Sequence, residues 1–529
     1  MESEYKSPLK KLVKFFEESR NKWKAKAQES KQKVKLQGNR IRFLEESKLK
    51  LKADVLKLKS QIRDLESKKN ASKNTPNNLI KVPSDNTKIA HHSYSAELIA
   101  TWCQLILNGS ISFRAASRVL SLISMFLPAG MLKTPSWHTG RLWLIRLGYY
   151  KLTCPKEKAE DWIWIIDHSV QTGPEKCLLI LGIRAKDLPH DRALQYKDVQ
   201  PIELLPVQKS NGEIVYEQLE NTIVKTGIPC EIIGDHGSDI KSGIDKFCLS
   251  HQETCYIYDI KHKMASLLKK ALLSSDKWDV FTKLSSKVKS QVQQTSLAEL
   301  APPNQRSKSR YMNTEYLLTW AEKMLTILLH PETLGKRADD IEKIREKFCW
   351  LIEFKEDLIC WNSLLSLTSH TENFIRNKGI YRNASKDLET SINDLVVLSK
   401  SNTMVLEFKN SIINFVKQES IKTNPKQRLL GSSEIIESVF GKQKFIENEQ
   451  AKSGFTGLLL SLGAIVSETT TNIIQQAMTT VSTNMIYQWY KDNIKKSLQA
   501  KRIEIFQGAE NFIDNSGTKI EPTFEAINS

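Results

Sequence analysis

At 529 residues the chain has room for three or four modules of about 100–200 residues each. Hydrophobic residues at 40% and charged residues at 26% are the proportions of globular protein, and no run of about 18 apolar residues is present to span a bilayer, so a membrane role is not expected. A formal net charge of +18 with a pI near 9.3 points to a polyanionic partner, because lysine and arginine gain free energy by releasing counterions from phosphates.

The lysine-rich N-terminus has no apolar stretch of the kind a secretory signal needs. The longest apolar stretch, Phe455 to Val466, is interrupted by Ser461 and two glycines and reads as a buried helix. Cysteines 103, 154, 177, 230, 248, 255, 349 and 360 form no C-x-x-C pair, which excludes a zinc ribbon and gives no disulfide framework. Reduced thiols are expected, in the cytoplasm or nucleoid of a bacterium or the nucleus of a eukaryote.

Residues 1–68 read as a basic helical arm, the first 70 residues carrying 21 Lys+Arg against 10 Asp+Glu. Ile41, Leu44, Lys48, Leu51, Val55, Leu58, Ile62 and Leu65 keep a/d heptad spacing and predict a coiled coil over 34–66, suited to pairing two copies. A helix folded back on its own protein is the alternative. Residues 69–92 have linker composition, with an asparagine-rich run and two prolines.

Residues 93–152 turn helical. Helices are predicted over Ala96–Leu107, stopped by Asn108-Gly109, over Phe113–Phe126, capped by Ser112, and over Trp137–Leu147, opened by Pro135-Ser136. Read as a helix-turn-helix DNA-binding region, the third helix would turn Arg141 and Arg146 to a groove, while Arg114 and Arg118 would reach phosphates. An ordinary helical subdomain explains the same pattern.

Residues 153–264 change to strands: Trp162–Asp167, Lys176–Ile183 and Pro201–Val207, a helix Ile214–Lys225, a strand Cys230–Gly234 ending at Asp235, a helix Ile240–Cys248 and a strand Cys255–Tyr258. That order predicts a mixed sheet with helices on its faces. Residues 265–428 read as an all-helical insertion in which strands do not return, with amphipathic stretches at Tyr316–Leu329, Asp340–Ile352 and Leu388–Leu398. Residues 429–470 hold a further acidic helix, and 471–529 form a helical tail.

Asp167 and Asp235 each terminate an apolar predicted strand. A carboxylate there is expensive to bury unless it is paired, hydrogen-bonded or metal-bound, although a strand-terminal Asp also commonly caps a turn. The late helix supplies a third acid within Glu434-Ile435-Ile436-Glu437-Ser438-Val439-Phe440-Gly441-Lys442-Gln443-Lys444. The order strand-Asp, strand-Asp, then Glu-x-x-Phe-x-x-x-Lys resembles the DDE transposases of the RNase H-like, retroviral-integrase superfamily. Asp259-Ile260-Lys261-His262 is similar to the [C/D]-x-x-H motif of hAT and Mutator-like members, and Arg310-Tyr311-Met312 loosely resembles the Arg-Trp that opens the hAT helical insertion. Bacterial insertion-sequence types share the same acid order. Phe440 and Lys444 favour Glu437 over Glu434 as the third acid. Asp239, His236 and Asp245 read as helix-terminal or surface groups, and His168 points to the opposite strand face from Asp167.

The resemblance implies an α/β RNase H-like catalytic core with a large all-α insertion, preceded by the helical DNA-binding region and the coiled coil. It implies that Asp167, Asp235 and Glu437 bind two Mg²⁺ or Mn²⁺ ions, hard cations that suit oxygen ligands. Two such ions about 3.5–4 Å apart assist in-line displacement at phosphorus. The implied activity is cleavage at transposon ends and strand transfer, with double-stranded DNA of the terminal inverted repeats and of the target as partner, and with a homo-oligomer, at least a dimer, as the working form. His262 and Lys444 are expected near DNA. The alternatives are a domesticated, non-cleaving DNA-binding descendant and another nuclease of the RNase H fold.

Overall fold

The computed structural model describes residues 20, 89–127, 132–170, 175–304, 314–393, 402–448, 455–494 and 498–510. The predicted coiled coil, the linker up to residue 88 and Arg310-Tyr311-Met312 lie outside the described residues. The chain divides into a unit Met1–Ser84 and a unit Asp85–Ser529, and the elements below belong to the second.

Three helices open it: α1 Ala96–Leu107, α2 Phe113–Ser124 and α3 Trp137–Thr153, each started by a serine, Ser95, Ser112 and Ser136, whose hydroxyl accepts a first-turn N–H. α3 runs past its predicted end at Leu147 because its second half is packing surface, and Trp143 through Gly148 are all buried.

The sheet is built from β1 Trp162–Val170, β2 Lys176–Arg184 and β3 Gln200–Val207, then, after α4 Gly212–Thr226, from β4 Glu231–Gly234, and after α5 Ser238–Ser250, from β5 Cys255–Tyr258. Its order is β3-β2-β1-β4-β5, with β1 antiparallel to β2, β2 antiparallel to β3, and β4 parallel to both β1 and β5. Both faces are covered, which is why β1 is apolar at every position from Trp162 to Ile166 instead of alternating with polar residues. Trp162, Trp164 and Ile166 pack with Val215 and Leu219 of α4 and Phe247 of α5. Ile163 and Ile165 face the larger core shared with the remaining helices.

The chain then becomes helical: α6 Ile260–Leu273, α7 Asp276–Val292, α8 Thr314–Leu329, α9 Ile341–Phe348 and α10 Lys355–Lys378, followed after β6 Ile380–Tyr381 by α11 Ala384–Asn393 and α12 Thr403–Ile421, and closed by β7 Arg428–Leu429. An aromatic cluster holds this block, with Trp278 and Phe281 of α7 against Trp361 of α10 at ring separations of 4.9 and 5.1 Å. The expectation that strands do not return is corrected here: β6 and β7 pair antiparallel, Ile380 opposite Leu429 and Tyr381 opposite Arg428. Two residues on each side are too few to leave a periodic signal. The chain continues with α13 Glu434–Glu447, α14 Ser461–Ile465, α15 Thr471–Thr480, α16 Thr483–Asn493 and α17 Leu498–Glu510. Among the described residues no helix is long and apolar enough to cross a membrane.

Candidate active site

Asp167 does not end its strand, as the sequence suggested; β1 continues to Val170. The pairing of β1 with β4 stops earlier, at Ile165 opposite Ile233. Continuing that register brings Asp167 level with Asp235, the residue after β4, and the β4–β5 register, with Gly234 opposite Tyr258, brings Asp235 level with Asp259. Three acids therefore sit in a row where the parallel part of the sheet runs out, the place at which open α/β sheets gather functional groups.

Each member of the row is used differently. Asp167 Oδ1 accepts the N–H of His168 at 2.6 Å, and Asp235 Oδ1 accepts that of Gly237 at 3.0 Å. Neither carboxylate has an ion-pair partner among the described residues. Burial, then the charge of Asp235, with a smaller push from Glu437, raises the Asp167 carboxyl to about 7, against the lowering effect of His168 N–H and of His262. Asp259 is structural. It caps α6, accepting His262 N–H on Oδ1 at 2.8 Å, and its Oδ2 accepts both the N–H and the hydroxyl of Ser433 at 2.6 and 2.9 Å.

Those bonds set where α13 begins. Ile260 N–H donates to the carbonyl of Gly431 at 3.0 Å, and Leu430 N–H donates to Glu231 Oε2 at 2.9 Å. The segment returning from the helical block is thus fastened to β4, to the end of β5 and to α6 before α13 starts. Burial, with a smaller push from Glu419, raises the Glu231 carboxyl well above its ordinary range against the lowering effect of the Leu430 N–H.

α13 turns its two acids to different partners. Glu437 meets Lys261 Nζ at 2.8 Å and His262 Nε2 at 3.3 Å. Glu434 meets Arg376 of α10 at 3.0 Å and Lys261 only at 3.9 Å. Burial alone would raise the Glu437 carboxyl, but the bonds from His262 and Lys261 outweigh it and hold the group down at about 2. The bond to Glu437, opposed by burial and reinforced by Asp259, raises His262 to about 9. The Asp-x-x-His segment therefore works as a double clamp, with Asp259 holding the start of α13 and His262 holding the acid one turn into it.

Two contributors were not legible in the sequence. Lys261 occupies an unspecified position of the motif, so nothing marked it. Glu372 of α10 reaches the same neighbourhood from the helical block, raised to about 7 by burial and by Asp259 and Glu434 against Lys261 and Arg376. Only the tertiary fold brings it there. On the other sheet face His168 Nδ1 lies 3.6 Å from Asp239, which Lys176 Nζ meets at 2.6 Å; burial depresses the imidazole to about 4. His168 is thus an internal packing group, as its strand position predicts. Asp239 sits in the first turn of α5, Asp245 pairs with Lys241 on the surface, and His236 stacks on Tyr258 at 3.5 Å.

The residues expected to touch DNA are dispersed. Arg114 and Arg118 are exposed on α2, Arg114 lying 5.1 Å over the ring of Trp137. Arg141 is half-buried. Arg146 corrects the groove-facing expectation: it is 8% exposed and donates to the carbonyl of Met478 at 2.6 Å. α3 is gripped along its second half, where a Cβ on Gly148 would collide with the carbonyl of Leu460. A helix closed in this way has no free face there for a groove. Lys444 is exposed near the end of α13.

The donor set of the row is hard oxygen, and Asp167 beside Asp235 is an accumulation of negative charge without a side-chain counterion. Those two residues fit a divalent cation. Among the described residues no three His, Cys, Asp or Glu side chains converge as metal ligands, and Glu437 is bonded to Lys261 and His262.

No family model and no curated protein matches the sequence. Among solved structures, the Drosophila P element transposase strand transfer complex aligns with a TM-score of 0.35 at 10% identity, over 81% of this chain and 99% of that one.

Proposed function

We propose that the chain is a DDE transposase with an RNase H-like core, acting on double-stranded DNA, in which Asp167, Asp235 and Glu437 are the metal-binding acids. The observation that carries this reading is the register that sets Asp167 level with Asp235 at the end of the parallel strands, with Glu437 bonded to Lys261 and His262 of the segment that follows Asp259 in the same row. The motif order Asp, Asp, Glu-x-x-Phe-x-x-x-Lys supports it from the sequence.

Mg²⁺ or Mn²⁺ held by these acids would supply Lewis acidity for displacement at phosphorus. The chain's own contribution is positional. Asp167 is rigid because it lies inside a strand paired with β2, opposite Leu179. Asp235 is oriented by the Gly237 N–H. Glu437 is delivered by α13 and held by Lys261 and His262, whose positive charges keep it ionised; a metal shared with the two aspartates would require it to exchange those partners. His262, whose protonation Glu437 supports, lies at the edge of the site and suits a phosphate oxygen that takes the place of that carboxylate.

The test is incubation of the full chain with DNA from the flanks of its own gene in Mg²⁺, mapping broken and joined strands. Cutting at a matched pair of inverted ends with joining to target DNA, lost in Asp167→Ala, is expected. Tight binding without cutting would replace this reading with a non-cleaving DNA-binding protein, and cutting without joining would replace it with a nuclease.

A further inference from the structure

Each aspartate of the row is held within its own segment, Asp167 inside β1 and Asp235 by the Gly237 N–H. The backbone pairing of β1 with β4, however, ends at Ile165 opposite Ile233, two residues short of both acids. Like charges side by side repel, and the charge of Asp235 adds to burial in raising the Asp167 carboxyl. Beyond the ladder, side chains have to keep β1 against the start of α5.

On the opposite face of the sheet four side chains from four segments meet at this point. Asp239 projects from the first turn of α5, two residues after the Gly237 N–H that orients Asp235. A carboxylate in a first helical turn is ordinary as a solvated group beside the positive end of the helix dipole, but this side chain is only 11% exposed. Its Oδ2 takes Lys176 Nζ, from the first residue of β2, at 2.6 Å. The same oxygen lies 3.6 Å from Nδ1 of His168, the β1 residue that follows Asp167. Ser210, in the segment ahead of α4, bonds Asp239 and sets its hydroxyl 3.4 Å from His168 Nε2. Because β1 lies between β2 and β4 in the sheet, the Lys176–Asp239 pair crosses the end of β1, with His168 packed between the two.

We propose that Asp239 is a positioning residue for the acidic row: with Lys176, His168 and Ser210 it straps the end of β1 to the start of α5, and this strap, on the sheet face away from the two carboxylates, sets the separation of Asp167 and Asp235. The inference rests on the metal-binding reading above and names the part of the chain that gives the site its width.

Mn²⁺ and Ca²⁺ calorimetry on the full chain tests it, comparing wild type with Lys176→Met and His168→Phe and using thermal melting to show that each is folded. Removing Lys176 leaves Asp239 unpaired and makes the neighbourhood more negative, so the electric field alone predicts tighter Mn²⁺ binding. Loss of the strap predicts the opposite, binding weaker by about tenfold, the low end of what supporting contacts around a metal site contribute. His168→Phe changes no charge, since burial holds the imidazole at about 4, and weakens Mn²⁺ binding likewise. In both variants the preference for Mn²⁺ over Ca²⁺ shrinks, because Ca²⁺ accepts longer and more variable bonds and tolerates a slack pair of carboxylates. A merely structural role would lower the melting temperature and leave that preference where it was. An unchanged preference, or Mn²⁺ affinity in Lys176→Met equal to or above that of the wild type, overturns the strap and leaves the metal reading standing. No Mn²⁺ binding by the wild type overturns both. If the buried His168 substitution unfolds the chain, Lys176→Met, at a side chain 32% exposed, decides alone.

Discussion

Asp167 and Glu437 have opposite electrostatic environments although both are assigned to one site. Asp167 is buried beside another acid without a counterion; Glu437 is held by two cations. The folded carboxyl of Asp167 is raised, from 3.8 to about 7, so the stability it contributes is present at acid pH below the unfolded value and is lost as pH rises through about 7. Asp167→Asn should therefore melt above wild type at pH 8, by about 2–4 °C, and equal it at pH 3.5. Lower or equal melting at pH 8 would remove the picture of an uncompensated acid. Glu437 and His262 give the reverse pattern. Their pair stabilises fully between the unfolded values of 4.5 and 6.5, weakening as pH falls through about 2 or rises through about 9. His262→Gln should flatten the alkaline limb of a Tm-against-pH curve, and an unchanged limb would mean the contact contributes nothing. Asp259 is a different kind of acid. Asp259→Ala strips acceptors from two N–H groups and the Ser433 hydroxyl, and should lower stability by about 2–4 kcal/mol in urea denaturation.

At the scale of elements, what was legible in the sequence had strong local causes. Ser112 and Ser136 marked the starts of α2 and α3, and the apolar run of β1 marked a strand. The segment between β7 and α13 was not legible, because its anchors are a few hydrogen bonds to Glu231, Ile260 and Asp259, far away in sequence. Nor was the role of α3. Its arginines and the short helices around it suggested a DNA reader, but its glycines were the better signal, since they mark where another backbone comes close. Gly148→Ala drives a Cβ into the Leu460 carbonyl, backbone that cannot step aside. It should lower stability by about 3 kcal/mol or more, with α14 separating from α3. A Tm within 1 °C of wild type would show this contact to be slack.

Across the whole molecule, charge and chemistry are assigned to different parts. The first 70 residues carry 21 Lys+Arg against 10 Asp+Glu within a total of +18, so the arm holds most of the excess charge, whereas the acids and α13 lie in the unit Asp85–Ser529. Removing residues 1–70 should weaken binding to arbitrary DNA and flatten its dependence on salt, while leaving the melting of the remaining unit within about 2 °C. An unchanged salt slope would move the electrostatic footprint onto the folded unit. The helical block between β5 and α13 also enters the site, through Arg376 and Glu372 of α10, so it shapes the surroundings of the third acid as well as spacing it from the sheet.

The central claim is that Asp167, Asp235 and Glu437 hold divalent metal, and Mn²⁺ titration calorimetry on the purified chain tests it without needing the DNA sequence. Saturable binding by wild type is expected, lost in Asp167→Asn and Asp235→Asn and weakened in Glu437→Gln, with all three variants folded by circular dichroism. Binding of equal affinity in Asp167→Asn, or no binding by wild type, would contradict the account.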